Sequence, residues 1–402
     1  MRSVPPTIRC ISPVSYAASE RRWRTDHGRL IGHEEAFVQT RSVTAWLTRL
    51  VLLLAMAVGV VACSGNETVG STGTSTAASG APAAAPATRA SAGCQGLAVA
   101  AGRTTQNFNA AGRFGFFIQE VPASYTGKAP VPLIVDLHGY AEPADLQARL
   151  SGLGSLGATQ GFVTVTPQLN GPVPNWVPDV DGQDVAYIGA LLDRLEQTLC
   201  LDQRRVYVTG YSNGAMLVSA LMCTDADRFA AAAPVAGLRE IAGCWPSRPV
   251  PLVTFHGTQD SYVPYDGSPS RSAAQLPAPD GSHRTLADVK NENVPGAAIT
   301  RSVLNGGSAV PDILASWAAR ERCRAGAPAQ SRIGPDVTLL RYDCPAGSAV
   351  ELYRVAGGGH AWPGSPGSAA LAAAVGRTTF TINADALMWA FFRAHPLPAS
   401  VG

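Results

Sequence analysis

The chain has 402 residues, of which 46% are hydrophobic and 15% charged, and a formal net charge of +2. That length allows one large domain or two small ones. The near-neutral balance, with no block of Lys or Arg in the fold-bearing part, gives a nucleic-acid partner no electrostatic support.

Residues 1–40 are polar and dotted with arginine, and no helical or strand period persists through them. Arg41 and Arg49 then precede an apolar run, LVLLLAMAVGVVA, from Leu50 to Ala62, which ends at Cys63. The run is shorter than the roughly 20 residues a membrane-spanning helix takes. A basic flank, a short apolar core and small residues before a cut site describe a secretory signal. Val60-Val61-Ala62-Cys63 resembles the bacterial lipobox, whose cysteine becomes the lipid-bearing N-terminus. Residues 41–63 are therefore expected to be a signal peptide with Cys63 as the lipidation site. Residues 1–40 are expected to be an extension from a start placed too far upstream. The protein should be exported, and either secreted or held on the outer face of the cell membrane by that lipid alone. Residues 64–93 are Ser, Thr, Gly, Ala and Pro with almost no large apolar side chain. Such a segment cannot bury enough surface to offset its ordering entropy, so a flexible tether is expected.

Six cysteines follow: Cys94, Cys200, Cys223, Cys244, Cys323 and Cys344. An even number beyond an export signal fits disulfides, although sequence alone does not fix their connectivity. Proximity favours Cys223–Cys244 and Cys323–Cys344, which leaves Cys94–Cys200. No Cys-x-x-Cys occurs and no histidine stands at ligand spacing from a cysteine, so no metal is expected; nor is any other cofactor.

From Cys94 on, apolar runs alternate with helical patterns. Strand candidates are 114–121, 132–139, 161–167, 204–210, 229–237 and 251–257, with AVELYRV at 349–355 near the C-terminus. ADLQARLSGLGSLGATQG has a helical period throughout, and residues 184–199 read as an amphipathic helix with Asp184 as its N-cap. Strands nearly continuous in apolar residues, separated by helices, predict a mostly parallel sheet covered by helices on both faces. The expected fold class is α/β. Active sites of such sheets lie outside the carboxyl ends of the strands. Those ends carry His138-Gly139-Tyr140, Ser212, His256-Gly257-Thr258-Gln259-Asp260 and the loop Gly357-Gly358-Gly359-His360.

Gly210-Tyr211-Ser212-Asn213-Gly214 joins the strand VYVTG to the helical AMLVSALM. Gly-x-Ser-x-Gly in that context is a strained elbow that lifts a serine out of the sheet as a nucleophile. A serine hydroxyl needs a base within reach, and the base needs a carboxylate to hold its tautomer. Chain order Ser–Asp–His selects Asp260 as the acid and His360 as the base, because His360 alone sits in a glycine-rich loop after a strand. Asp266 is the near rival of Asp260; Asp225 and Asp227 are weaker. The oxyanion hole is expected from the N–H of Asn213 and that of Tyr140, with Gly139 as the alternative to Tyr140. Trp176 and Trp362 are candidate pocket aromatics.

LHGY at 137–140, GYSNG at 210–214, HGTQD at 256–260 and GGGHAWPG at 357–364 together resemble the secreted polyhydroxybutyrate depolymerase and feruloyl esterase family, which has bacterial lipoprotein members. The resemblance runs from about Phe114 to His395. It implies an α/β-hydrolase fold over 94–402 and hydrolysis of carboxylic esters by Ser212, Asp260 and His360 through an acyl-enzyme. It also implies an ester substrate (a polyester, a feruloylated polysaccharide or a small ester). A monomer is expected. A non-catalytic surface binding protein and a peptidase are the alternatives. One departure stands out: residues 266–309 form an insertion rich in Gly, Pro, Ser and Asn. They read as a lid over the cleft or as disordered decoration, more readily the latter.

Overall fold

The computed structural model describes residues 88–96, 99–292 and 297–399. The expectations for residues 1–40, for the signal at 41–63 with Cys63, and for the tether up to residue 87 lie outside the described residues.

The strands are β1 (Gly102–Ala110), β2 (Arg113–Val121), β3 (Val131–Leu137), β4 (Val163–Leu169), β5 (Leu201–Tyr211), β6 (Ala231–Val235), β7 (Leu252–Gly257), β8 (Ala329–Arg332), β9 (Val337–Arg341) and β10 (Val350–Val355). They form a single sheet in the order β1-β2-β4-β3-β5-β6-β7-β10-β9-β8. From β4 to β10 all neighbours are parallel, and both flanks are antiparallel. The helices are α1 (Ala144–Ser151), α2 (Leu153–Gln160), α3 (Gln183–Thr198), α4 (Asn213–Thr224), α5 (Arg271–Ala274), α6 (Leu286–Val289), α7 (Ala297–Leu304), α8 (Val310–Arg320), α9 (Pro366–Ala370), α10 (Ala372–Val375) and α11 (Ala384–Ala394).

Side chains alternate across a strand, so each central strand feeds two cores. Leu133, Val135 and Leu137 of β3 pack with α3, α4 and α8, while Ile134 packs on the other face with α2 and α11. Both faces being covered explains why these strands read as unbroken apolar runs. The chain steps from β3 to β4 on one side and then to β5 on the other. That reversal opens a crevice at the carboxyl ends of β3 and β5, where Leu137 pairs with Gly210.

Three local expectations are corrected. The long helical stretch breaks into α1 and α2 at Gly152, whose φ of 64° is left-handed. Asp184 is not an N-cap: α3 starts at Gln183 after Gly182, and the buried Asp184 carboxylate instead accepts the Val177 N–H at 2.8 Å and pairs with Arg113 Nε at 3.0 Å. Strands β1, β8 and β9 were not anticipated, because β1 is half exposed and mostly polar, and β8 is fully exposed. Cys94–Cys200, Cys223–Cys244 and Cys323–Cys344 are disulfide-bonded. The end of the expected tether is fixed on the domain: Arg89 N–H donates to Asp202 Oδ1 at 3.0 Å and Ser91 N–H to the Leu201 carbonyl at 2.9 Å.

The insertion is folded where it is described. Its ends meet through Gly307 N–H and the Gly267 carbonyl at 2.9 Å. Between them lie α5, α6 and α7, with a capping box at Thr285 and Asp288. Its apolar residues pack on Met216 and Val263 of the main domain.

Candidate active site

Four strand ends converge. Ser212 follows β5 and is the residue before α4, with φ 55° and ψ −115°. A non-glycine residue held there stores roughly 1–3 kcal/mol of strain, which the surrounding structure has to sustain. A side chain beside it would force the backbone to shift, since a Cβ on Gly214 would lie 2.3 Å from the Leu137 carbonyl oxygen and 2.5 Å from that of His138. A serine in this position commonly spends its hydroxyl capping the helix, but Ser212 makes no side-chain cap bond. Its hydroxyl is left for the cavity that it lines together with His360.

His360 Nδ1 lies 2.7 Å from Asp260 Oδ2. A carboxylate there fixes the ring proton on Nδ1 and leaves the Nε2 lone pair for the cavity. The ring is held between Tyr211 and Tyr262, with centroids 4.8 and 5.1 Å away. The Tyr211 hydroxyl donates to the His360 carbonyl. Asp260 is buried and fully used. Its Oδ1 accepts the N–H groups of Tyr262 and Val263 at 2.9 and 2.8 Å, and its Oδ2 also faces His256 Nε2 at 3.3 Å. Burial alone would push this carboxyl up, but His360 and His256 outweigh it and hold the group well below the usual carboxylate range. His256 Nε2 also donates to the Val263 carbonyl at 2.8 Å, so this buried histidine braces the acid loop. Asp266, the rival acid, is exposed and accepts Ser268 N–H in its own turn. Asp225 closes α4.

The donors expected for an oxyanion come from the loop after β3 and the start of α4. Asn213 is the first residue of α4, where N–H groups have no intrahelical acceptor. Its side chain is locked by a reciprocal pair: Oδ1 accepts Trp176 N–H at 2.7 Å and Nδ2 donates to the Trp176 carbonyl at 3.0 Å. The Gly139 N–H is taken by Glu142 Oε2 at 2.6 Å, whereas the Tyr140 N–H has no acceptor among the described residues. Glu142 is buried, which pushes its carboxyl up to about 8 despite the Gly139 bond.

Trp176 lines the cavity wall and donates Nε1–H to the His138 carbonyl at 3.0 Å. Trp362 does not line the cavity. Two residues past His360 it turns into the core, 1% exposed, with its indole N–H on Asp385 Oδ1 at 2.7 Å. The roles of His256 and Glu142 were not anticipated. His256 opens the HGTQD motif and Glu142 follows LHGY by two residues, but only folding shows what the imidazole and the carboxyl face. Among the described residues no group of His, Cys, Asp and Glu could hold a metal ion, and no helix is long and apolar enough to cross a membrane.

The sheet, its helices and the serine elbow make an α/β-hydrolase fold. No family model matches the chain. Feruloyl esterase B of Piromyces equi is 28% identical over 255 residues, which is 61% of this chain and 42% of that one. Poly(3-hydroxyalkanoate) depolymerase C of Paucimonas lemoignei is 36% identical over 128 residues, 30% of each chain. The chain thus spans less than half the length of these curated relatives. Among solved structures, an acetyl xylan esterase from Aspergillus awamori aligns at 15% identity with a TM-score of 0.44, over 64% of this chain and 94% of that one. The chain is similar in sequence to proteins named as carboxylic ester hydrolases.

Proposed function

We propose that the protein is an exported serine esterase that hydrolyses carboxylic esters through an acyl-enzyme. The observation that carries this reading is the His360–Asp260 pair at 2.7 Å, opening on the same cavity as the uncapped, strained Ser212. Ser212 Oγ attacks the ester carbonyl while His360 Nε2 takes its proton. The N–H groups of Asn213 and Tyr140 hold the oxyanion, and a preorganised donor of this kind is worth about 10²–10³ in rate. His360 returns the proton to the leaving alkoxide, the C–O bond breaks and the alcohol departs. Water, deprotonated by the same imidazole, then attacks the acyl-enzyme and releases the acid. Asp260 stays ionised throughout and orients the ring.

Export is supported by the signal pattern at 41–63 and by the three disulfides. Cys63 is the proposed lipid site, and the domain works as a monomer.

A fluorophosphonate probe tests the nucleophile. Peptide mass mapping should place the tag on Ser212 in the full chain, and Ser212→Ala should lower ester kcat by about 10⁴-fold or more. A folded, disulfide-intact protein that takes no tag and turns over no ester would overturn the reading.

A further inference from the structure

The insertion is polar in composition, yet what it turns toward the catalytic serine is not. Its residues that line the cavity are Ala273, Leu276, Pro279, Leu286, Val303 and Leu304, every one of them hydrocarbon. Its charges point elsewhere: Arg284 pairs with Asp280 and Glu292 on the exposed side. The wall is also fastened to the site. The Tyr140 hydroxyl donates to the Pro277 carbonyl at 2.8 Å, and Ser270 Oγ to the Ser261 carbonyl at 2.8 Å. Met216, one turn along α4 from Ser212, packs into the same apolar cluster. Leu146, Leu150, Leu371 and Val375 of the main domain add further aliphatic side chains to the lining. No Lys or Arg among the described residues lines the space.

We propose that the described part of the 266–309 segment forms one wall of an apolar arm that binds a hydrocarbon chain of the substrate, which makes the substrate an aliphatic ester of middle chain length. This rests on the esterase reading above. A feruloyl ring carries a phenol and a methoxy group, and a sugar carries several hydroxyls. The insertion's face offers no side-chain donor or acceptor, and elsewhere in the lining Tyr140, Asn175 and Tyr211 already donate to backbone carbonyls. Stripping the polar groups of such a substrate of water is therefore poorly compensated and unfavourable. A methylene chain loses nothing by the transfer and gains with each carbon buried. The volume bounds the length. The whole space, catalytic centre included, measures about 210 Å³, against the roughly 150 Å³ of an enclosed apolar cavity that takes up benzene. The arm is one part of it, which suits a chain of middle length.

The test uses the full chain with two sets of esters: p-nitrophenyl esters from acetate to dodecanoate, and acetates of alcohols from methyl to dodecyl. Methyl ferulate, acetylated xylan and poly-3-hydroxybutyrate film complete the panel. In one set kcat/KM should rise with chain length by up to about fourfold per methylene, pass a maximum at middle chain length and then fall. The set that responds identifies which half of the ester occupies the arm. Leu276→Trp, which fills the arm, should lower the ratio of the octyl-length to the two-carbon ester by tenfold or more. Should that variant not fold, the wild-type series still decides. The inference is overturned if neither set depends on length, or if methyl ferulate or either polymer is turned over faster than the best aliphatic ester. Both outcomes leave Ser212 labelled and ester turnover intact, which separates them from a failure of the esterase reading itself.

Discussion

At the scale of single residues, the candidate site is shaped by groups to which the proposed mechanism gives no direct part. Glu142 takes the Gly139 N–H and so fixes the turn before Tyr140, whose N–H is the proposed oxyanion donor. With its carboxyl pushed up to about 8 by burial, it is neutral at pH 7 and gains a charge above that. A negative charge there would oppose the oxyanion forming on the neighbouring donors. Wild-type kcat/KM is therefore expected to decline as pH rises through about 8. Glu142→Gln keeps an acceptor for Gly139 and cannot ionise, so it should stay within a few-fold of wild type at pH 7 and lose that decline. Glu142→Ala leaves Gly139 N–H unpaired and should cost tenfold or more at every pH. A pH–rate profile unchanged in Glu142→Gln would remove Glu142 from the account.

At the scale of elements, the elbow works because β3, β5 and α4 approach one another with almost no space between them. Leu137 pairs with Gly210 at the strand ends, and α4 begins against the carbonyls that close β3. A methyl group at position 214 has to displace that backbone. Gly214→Ala is expected to destabilise the domain by about 1–3 kcal/mol, as overpacking does, and to lower kcat by moving the donor loop relative to Ser212. Urea unfolding and steady-state kinetics check both, and a variant of wild-type stability and activity would show that the loop yields freely. The serine turn itself was legible, because a glycine pair around one hydroxyl between an apolar strand and a helix has few other uses. The split between α1 and α2 was not. One Gly in a run of favourable helical period carries no sign of whether it will turn left-handed.

At the scale of the whole molecule, burial of carboxyl groups sets the response to pH. Asp136, Glu321 and Asp385 are pushed up to about 7 and Glu142 to about 8, in each case first by burial. In the fold they keep protons that the unfolded chain releases near pH 4. Between about pH 4 and pH 7 the folded state binds more protons than the unfolded one, so stability falls as pH rises. Asp260 acts in the opposite sense. Its depressed value adds stability above the ordinary carboxylate range, and acidification through its folded value removes it. Buried His138, lowered to about 4, makes stability rise with pH up to its ordinary value, but the four raised carboxyls outnumber it and place maximum stability in the mildly acidic range. The urea midpoint should be higher at pH 5 than at pH 8, and Asp136→Asn should flatten the difference. A midpoint higher at pH 8 would mean that these carboxyls are ionised in the fold.

By itself the sequence determined the parallel sheet, the order Ser212, Asp260, His360 and the place of each at a strand end. Unbroken apolar runs, glycine pairs and chain order are local signals, and local signals survive in one dimension. Only the tertiary structure decided what faces what. It turned Trp362 into the core and Trp176 to the cavity, and it set His256 against Asp260. It also made the polar 266–309 segment an apolar wall. The physical reason is the spacing of that wall. Leu276, Leu286, Val303 and Leu304 follow no helical or strand period, so average polarity hides them until α5, α6 and α7 fold back on Met216 and bring their hydrocarbon to one face.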